Sequence, residues 1–432
     1  MSIHKNQPKG LFLLFFVEMW ERFSYYGMRA ILVLYMINFL NFSTESAGQL
    51  YGWYTGLVYL TPLLGGYIAD RYLGQRSCIL IGGLLMALGE FSLAVPTLQF
   101  FYIGLGLLIA GNGFFKPNIS TVVGSLYETN DPRRDGGFTI FYMGINIGAF
   151  FSPLVCGTLA QKVGWHWGFI AAGVGMVMGM AMYLWGQKAM LGDKCMLPAR
   201  QRTGADKVDD KPLTHIEKQR IAVIFIMVFF AIFFWSAFEQ AGSSLTLFAD
   251  RETNLAINLF GHSWTMPSSY FQSLNPLFIV ILAPFFSKMW IKMGEMGREP
   301  STPVKFAAGL GMLSLGFVIM IAGAAVYQQS GPVSMLWLVG AYFFHTLGEL
   351  CLSPVGLSLV TKLAPAKFGS LMMGTWFLSS FAANIVGGYF AGNYDAMNHT
   401  LFYMVPTATA AGAAILLLIL TPHIKKWMHG VH

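Results

Sequence analysis

Charge is scarce in this chain. Asp, Glu, Lys and Arg together make up 11% of its 432 residues, against 55% hydrophobic ones. A soluble domain, which carries about a quarter charged residues, is excluded on that ground. Cysteine is scarce too: Cys78, Cys156, Cys195 and Cys351 show no ligand spacing, which argues against both a disulfide framework and a metal site. A cleaved leader is not expected either. Lys5 and Lys9 precede an apolar segment too long and too charged to be a removable signal, so that segment is expected to stay as the first span.

What the chain has in excess is apolar length. Runs long enough to cross a bilayer recur near 11–39, 50–70, 78–97, 100–125, 138–160 and 166–189, then near 219–248, 268–291, 304–327, 333–362, 368–392 and 400–421. The expected fold class is therefore an all-α membrane protein of twelve transmembrane helices. Between the sixth and seventh runs, Leu191 to Lys218 is polar and basic, with Pro198, Pro212 and a DKVDDK run, and reads as a cytoplasmic linker. The division expected is an N-terminal six-helix bundle over 1–190, the linker over 191–218, and a C-terminal six-helix bundle over 219–432. Weak internal symmetry agrees: YLTPLL at 59–64 resembles SLNPLF at 273–278, and GNGFFKP at 111–117 resembles GELCLSP at 348–354. Duplicated halves of this kind place a substrate near the bilayer midplane, between them.

The net charge of +7 suggests nucleic acid until its location is read. Of the 27 Lys and Arg, only Lys162 and Arg251 fall on the far side, and Arg22, Arg29 and Lys116 fall within spans. The rest lie on the side of the N-terminus. That asymmetry follows the positive-inside rule, so both termini are expected in the cytoplasm, and no nucleic-acid partner is needed.

The most informative stretch is EMWERFSYYGMR, Glu18 to Arg29, inside the first span. At 100° per residue Glu18, Glu21, Arg22, Tyr25, Tyr26 and Arg29 form one stripe on one helix face. A charge at the centre of a spanning helix costs about 2.5–3.5 kcal/mol, so four on one face imply a polar cavity there, or else internal pairing as structural glue. Further buried charges are Lys116 in span 4, Glu239 in span 7, Glu349 in span 10 and Glu90 in span 3. Acids thus outnumber bases within the membrane, and the surplus carboxylates are natural proton carriers. Glu90 reads instead as a hydrogen-bonded or peripheral acid, and His345 as a packing residue. Asn146, Asn275 and Asn384 place amides in spans of both halves. Tyr25, Tyr26, Tyr59, Trp235 and Trp376 offer aromatic surface with a polar handle, which is also what ordinary packing would use. After span 2, GGYIADRYLGQR ends with Asp70, Arg71 and Arg76, read as a gate element outside any binding site.

These segments, with FYMGINIGAF in span 5, FEQAGSSL in span 7 and GELCLSPVGLS in span 10, resemble the proton-dependent oligopeptide transporters of the major facilitator superfamily. The resemblance implies a proton-coupled symporter importing di- and tripeptides by alternating access, two bundles rocking around a midplane cavity, with no cofactor and no enzymatic step. Proton coupling would fall on Glu18, Glu21, Arg22, Arg29 and Glu239. The peptide's amino end would meet Asn146, Asn275 and Glu349, and its carboxylate Arg22 and Lys116. Tyr25, Tyr26, Tyr59, Trp235, Ser353 and Trp376 would line side-chain pockets. Two inter-half pairs are implied, Lys116 with Glu349 and Arg29 with Glu239. Partners would be di- and tripeptides, protons and membrane lipid, and the protein a monomer in a bacterial inner membrane.

Two departures stand out. Animal members carry a histidine in span 2 where this chain has Gly52, and the linker is too short for the two extra helices that many bacterial members insert. The alternatives are a same-fold proton-coupled transporter of a non-peptide solute such as nitrate or a modified amino acid, a membrane enzyme acting on lipid-linked substrates, and a peptide receptor that does not transport.

Overall fold

The computed structural model describes residues 7–128, 131–198, 213–259, 261–365 and 368–430. Twelve long helices occur among them, each where an apolar run predicts one. The first six are α1 (Lys9–Asn38), α2 (Thr44–Ile68), α3 (Gln75–Leu93), α4 (Leu98–Ser125), α5 (Arg134–Thr158) and α6 (Trp165–Leu191). Next come α7 (His215–Phe238), the short α8 (Ser244–Arg251), α9 (Leu274–Glu295), α10 (Thr302–Ser330), α11 (Leu336–Leu363), α12 (Gly369–Ala391) and α13 (His399–Met428). Nine helices among the described residues are long and apolar enough to cross a membrane by length and composition alone. α1 falls outside that number because every 18-residue window of it holds at least three of its charges.

Local signals set several helix ends. Thr97 caps α4 by accepting from the Phe100 N–H, and Thr214 and Glu217 form a reciprocal capping box at the start of α7. That box starts α7 inside the stretch expected to be linker, of which 199–212 lies outside the described residues. Single π-helical turns, Ala69–Leu73 and Leu159–Val163, close α2 and α5, each followed by a glycine. Between α8 and α9, β1 (Ala256–Leu259) pairs antiparallel with β2 (His262–Thr265), with Gly261 at φ +79° in the turn.

The chain divides into two compact units. One comprises 1–41 and 57–206, the other 42–56 and 207–432. In the first, α1 packs on α5 and α6, and α3 packs on α4 and α6. In the second, α10 packs on α11 and α13, and α7 on α12 and α13. The first half of α2 groups with the second unit because glycines remove the side chains that would hold it away. A Cβ on Gly52 would lie 2.6 Å from the Asn384 carbonyl oxygen and 2.8 Å from the Gly388 Cα, and one on Gly48 would lie 2.6 Å from the Gly392 nitrogen. Thr44 also donates to Asp395, whose other oxygen pairs with Arg251 at 2.7 Å.

Candidate functional site

In the first unit the α1 stripe is folded inward. Glu18, Glu21, Arg22 and Arg29 are all buried, Glu21 completely. Arg22 Nε lies 3.1 Å from Glu18 Oε1 one turn back, and its guanidinium forks onto Glu21, with Nη2 donating to Oε1 at 2.8 Å and Nε to Oε2. One planar cation thus serves two acids, a task suited to arginine's rigid donor fork. From α4, Asn112 Nδ2 reaches Glu21 Oε1 at 3.5 Å, and Lys116 is close enough for its charge to act on both acids. Lys116 and Asn112 are four residues apart and so share one helix face.

Aromatic rings cover these cations. Lys116 Nζ stands 4.4 Å from the centre of the Tyr59 ring, Arg22 Cζ 5.5 Å from that of Tyr25, and Arg29 Cζ 5.9 Å from that of Tyr26. Tyr25 and Tyr26 meet edge to face with centroids 5.2 Å apart. Asn146, also buried, donates to the Tyr142 carbonyl of its own helix at 3.0 Å.

The second unit carries its own polar cluster. Asn275, in the first turn of α9, donates to Glu349 Oε2 at 2.7 Å and to Thr346 Oγ1 at 3.2 Å. Glu239 is buried where α7 gives way to a 3-10 turn, Glu239–Gly242, and acts electrostatically on Glu349. The turn is held by Gln240, whose amide donates to the Ser236 and Gly387 carbonyls at 3.1 and 3.0 Å and whose carbonyl accepts from Ser244 at 2.6 Å. Breaking the helix there frees backbone groups that Gln240 recovers. Trp376 is buried against Phe306, Trp235 packs edge-on to Phe234 and Phe238, and Ser353 lies part-buried on α11. Asn384 bonds the Ser380 carbonyl at 2.8 Å.

The residues set aside in the sequence have structural surroundings. Glu90 is fully buried and accepts from Ser24 Oγ at 3.2 Å, and His345 is buried against Phe317 with ring centroids 4.5 Å apart. Arg76, from the expected gate element, is buried and bonds the Gly192 carbonyl and, at 3.1 Å, Gln187, tying α3 to the end of α6. Asp70 and Arg71 are exposed, with Gln75 on the first at 2.6 Å and Tyr67 under the second at 2.6 Å. Asn112, Thr346 and Gln240 escaped the sequence reading. A usable signal existed for two of them, since Asn112 precedes Lys116 by four positions and Thr346 precedes Glu349 by three.

A bundle of long apolar helices with buried, paired charges at mid-helix defines a membrane-spanning transporter rather than a soluble or peripheral protein. The POT family profile (PTR2) matches residues 76–194 and 207–408, and the chain belongs to that family. It is 39% identical to the "Uncharacterized transporter YclF" of Bacillus subtilis, over 99% of this chain and 96% of the relative. That alignment spans 479 positions, longer than this chain, so the relative has residues without a counterpart here. It is 34% identical to a "Di-/tripeptide transporter" of Lactococcus lactis subsp. cremoris, over 99% of this chain and 97% of the relative. Among solved structures, the peptide transporter POT in complex with sulfate superposes with a TM-score of 0.91 at 36% identity, covering 99% of this chain and 97% of that one. The fold is accordingly the major facilitator arrangement of that family.

Proposed function

We propose that this protein is a proton-coupled symporter that imports di- and tripeptides by alternating access of two six-helix halves. It works as a monomer in the inner membrane of a bacterium, with both termini in the cytoplasm, and changes no covalent bond of its cargo. Family membership and a di-/tripeptide transporter among the relatives support peptide as substrate, and proton coupling follows from the family. The skewed distribution of Lys and Arg supports the orientation.

One observation carries the reading: a single arginine, Arg22, is shared by two buried acids, with Lys116 near both. A shared cation stabilises two carboxylates only while both are ionised, so taking up a proton on one changes the partner of the other. Glu18, Glu21, Arg22, Arg29 and Glu239 carry that exchange. Arg22 and Lys116 receive the peptide carboxylate, Asn146, Asn275 and Glu349 its amino group, and Tyr25, Tyr26, Tyr59, Trp235, Ser353 and Trp376 its side chains. Asp70, Arg71 and Arg76 belong to the gate at the cytoplasmic end of span 2.

The test is peptide-driven proton uptake in proteoliposomes, with Glu239→Gln beside the parent. Uphill peptide accumulation is lost in the variant on this reading. Unchanged accumulation contradicts the role given to Glu239, and failure of di- and tripeptides to compete with the transported solute points to a non-peptide cargo.

A further inference from the structure

The side of α1 that faces away from the charged stripe lines a cavity of about 420 Å³, within the about 300–1,000 Å³ range of ligand pockets. Its inner wall is Trp20 and Phe23, which meet edge to face with centroids 5.5 Å apart. At 100° per residue these two lie about 130° to 170° around α1 from the centre of the stripe. The outer walls come from α5, with Phe151 and Val155, and from α6, with Val174 and Met178. No residue lining the cavity is charged.

Small residues set how close the walls come. A Cβ on Gly175 would lie 2.7 Å from Phe23 Cδ1, and one on Gly179 would lie 3.0 Å from Trp20 Cβ, so α6 packs directly against these two rings and the groove lies beside that contact. The mouth is open: Phe151 is 52% and Val174 46% exposed, each at the middle of a membrane-spanning helix. At that depth the surrounding medium is hydrocarbon, which fixes the chemistry of whatever enters. An empty apolar groove of this size would forfeit dispersion contacts along its whole wall.

We propose that this groove is a binding site for one phospholipid acyl chain, which enters between Phe151 and Val174 and packs against Trp20 and Phe23. The site puts a bilayer-derived ligand on the same helix turns as Glu18, Glu21 and Arg22, on the opposite face.

Trp20 is a native reporter for it. The full chain is reconstituted in nanodiscs of phosphatidylcholine brominated midway along its tails, and its fluorescence is compared with that in unbrominated lipid. Parent, Trp20→Phe and Val174→Phe are measured, each first shown to elute as a folded single species. Bromination dims the parent by a larger fraction than Trp20→Phe, and that excess falls at least twofold in Val174→Phe, whose ring closes the mouth. Equal fractional losses in parent and Trp20→Phe overturn the site, because no tail then reaches Trp20. An excess unchanged by Val174→Phe overturns it as well, because the tail then arrives by another route.

Discussion

Asn275 donates a 2.7 Å hydrogen bond to Glu349, joining the first turn of α9 to the middle of α11. Glu349 is also under the field of Glu239, so this amide is the neighbour that steadies the carboxyl against a like charge. Hydrogen bonds to charged groups are worth about 1.5–3 kcal/mol, and about 1.4 kcal/mol is tenfold in binding. Asn275→Ala is therefore expected to raise the KM for a dipeptide at least about tenfold, measured by uptake into proteoliposomes. Thr346→Val, which removes only the 3.2 Å partner, changes it less.

Arg22 and lysine are not interchangeable at their position. The guanidinium contacts Glu18 and both oxygens of Glu21, a geometry a point charge on a flexible stem does not reproduce. Arg22→Lys is expected to fold and to lose most transport. Arg22→Met leaves two buried acids without their shared cation and is expected to cost about 3–5 kcal/mol of stability, seen as a lower thermal midpoint in detergent.

Gly52 has little room for a side chain in its surroundings. The nearest atoms to an added Cβ are backbone, the Asn384 oxygen and the Gly388 Cα. Flexible side chains could yield, whereas two helix backbones must separate. Gly52→Ala is expected to cost about 1–3 kcal/mol and Gly52→His to prevent folding, read from the fraction eluting as a single species.

The polar cluster that follows α8 in the second unit offers a stability test away from transport. Glu252, 1% exposed, accepts from Tyr394 OH at 2.5 Å and pairs with His399 Nδ1 at 2.7 Å, while Tyr394 stacks on His399 with centroids 4.2 Å apart. Glu252→Ala strands two donors and is expected to destabilise by about 2–5 kcal/mol, whereas His399→Gln retains an amide donor and costs less. Thermal unfolding of the two variants compares them directly.

Much of this was legible because the bilayer simplifies the code. Apolar length alone locates every long helix, and the 100° spacing of Glu18, Glu21, Arg22, Tyr25, Tyr26 and Arg29 puts them on one face. Partners were not legible. That Asn146 and Asn384 bond carbonyls of their own helices, or that Gln240 rebuilds a broken turn beside Glu239, depends on backbone geometry that periodicity does not encode. Nor did the sequence distinguish Arg76, which clamps α3 to the end of α6, from its exposed neighbours Asp70 and Arg71. The cluster of Glu252, Tyr394 and His399 escaped because its members lie far apart in the chain and in loops or helix ends, where no repeat draws the eye.

The central claim is that the acids gathered around Arg22 exchange protons in step with peptide movement. Its most direct measurement is accumulation of a labelled dipeptide in proteoliposomes under an imposed pH gradient, set beside peptide exchange without one, for the parent and Glu21→Gln. The account predicts that the variant retains exchange and loses gradient-driven accumulation. Accumulation equal to that of the parent would contradict it.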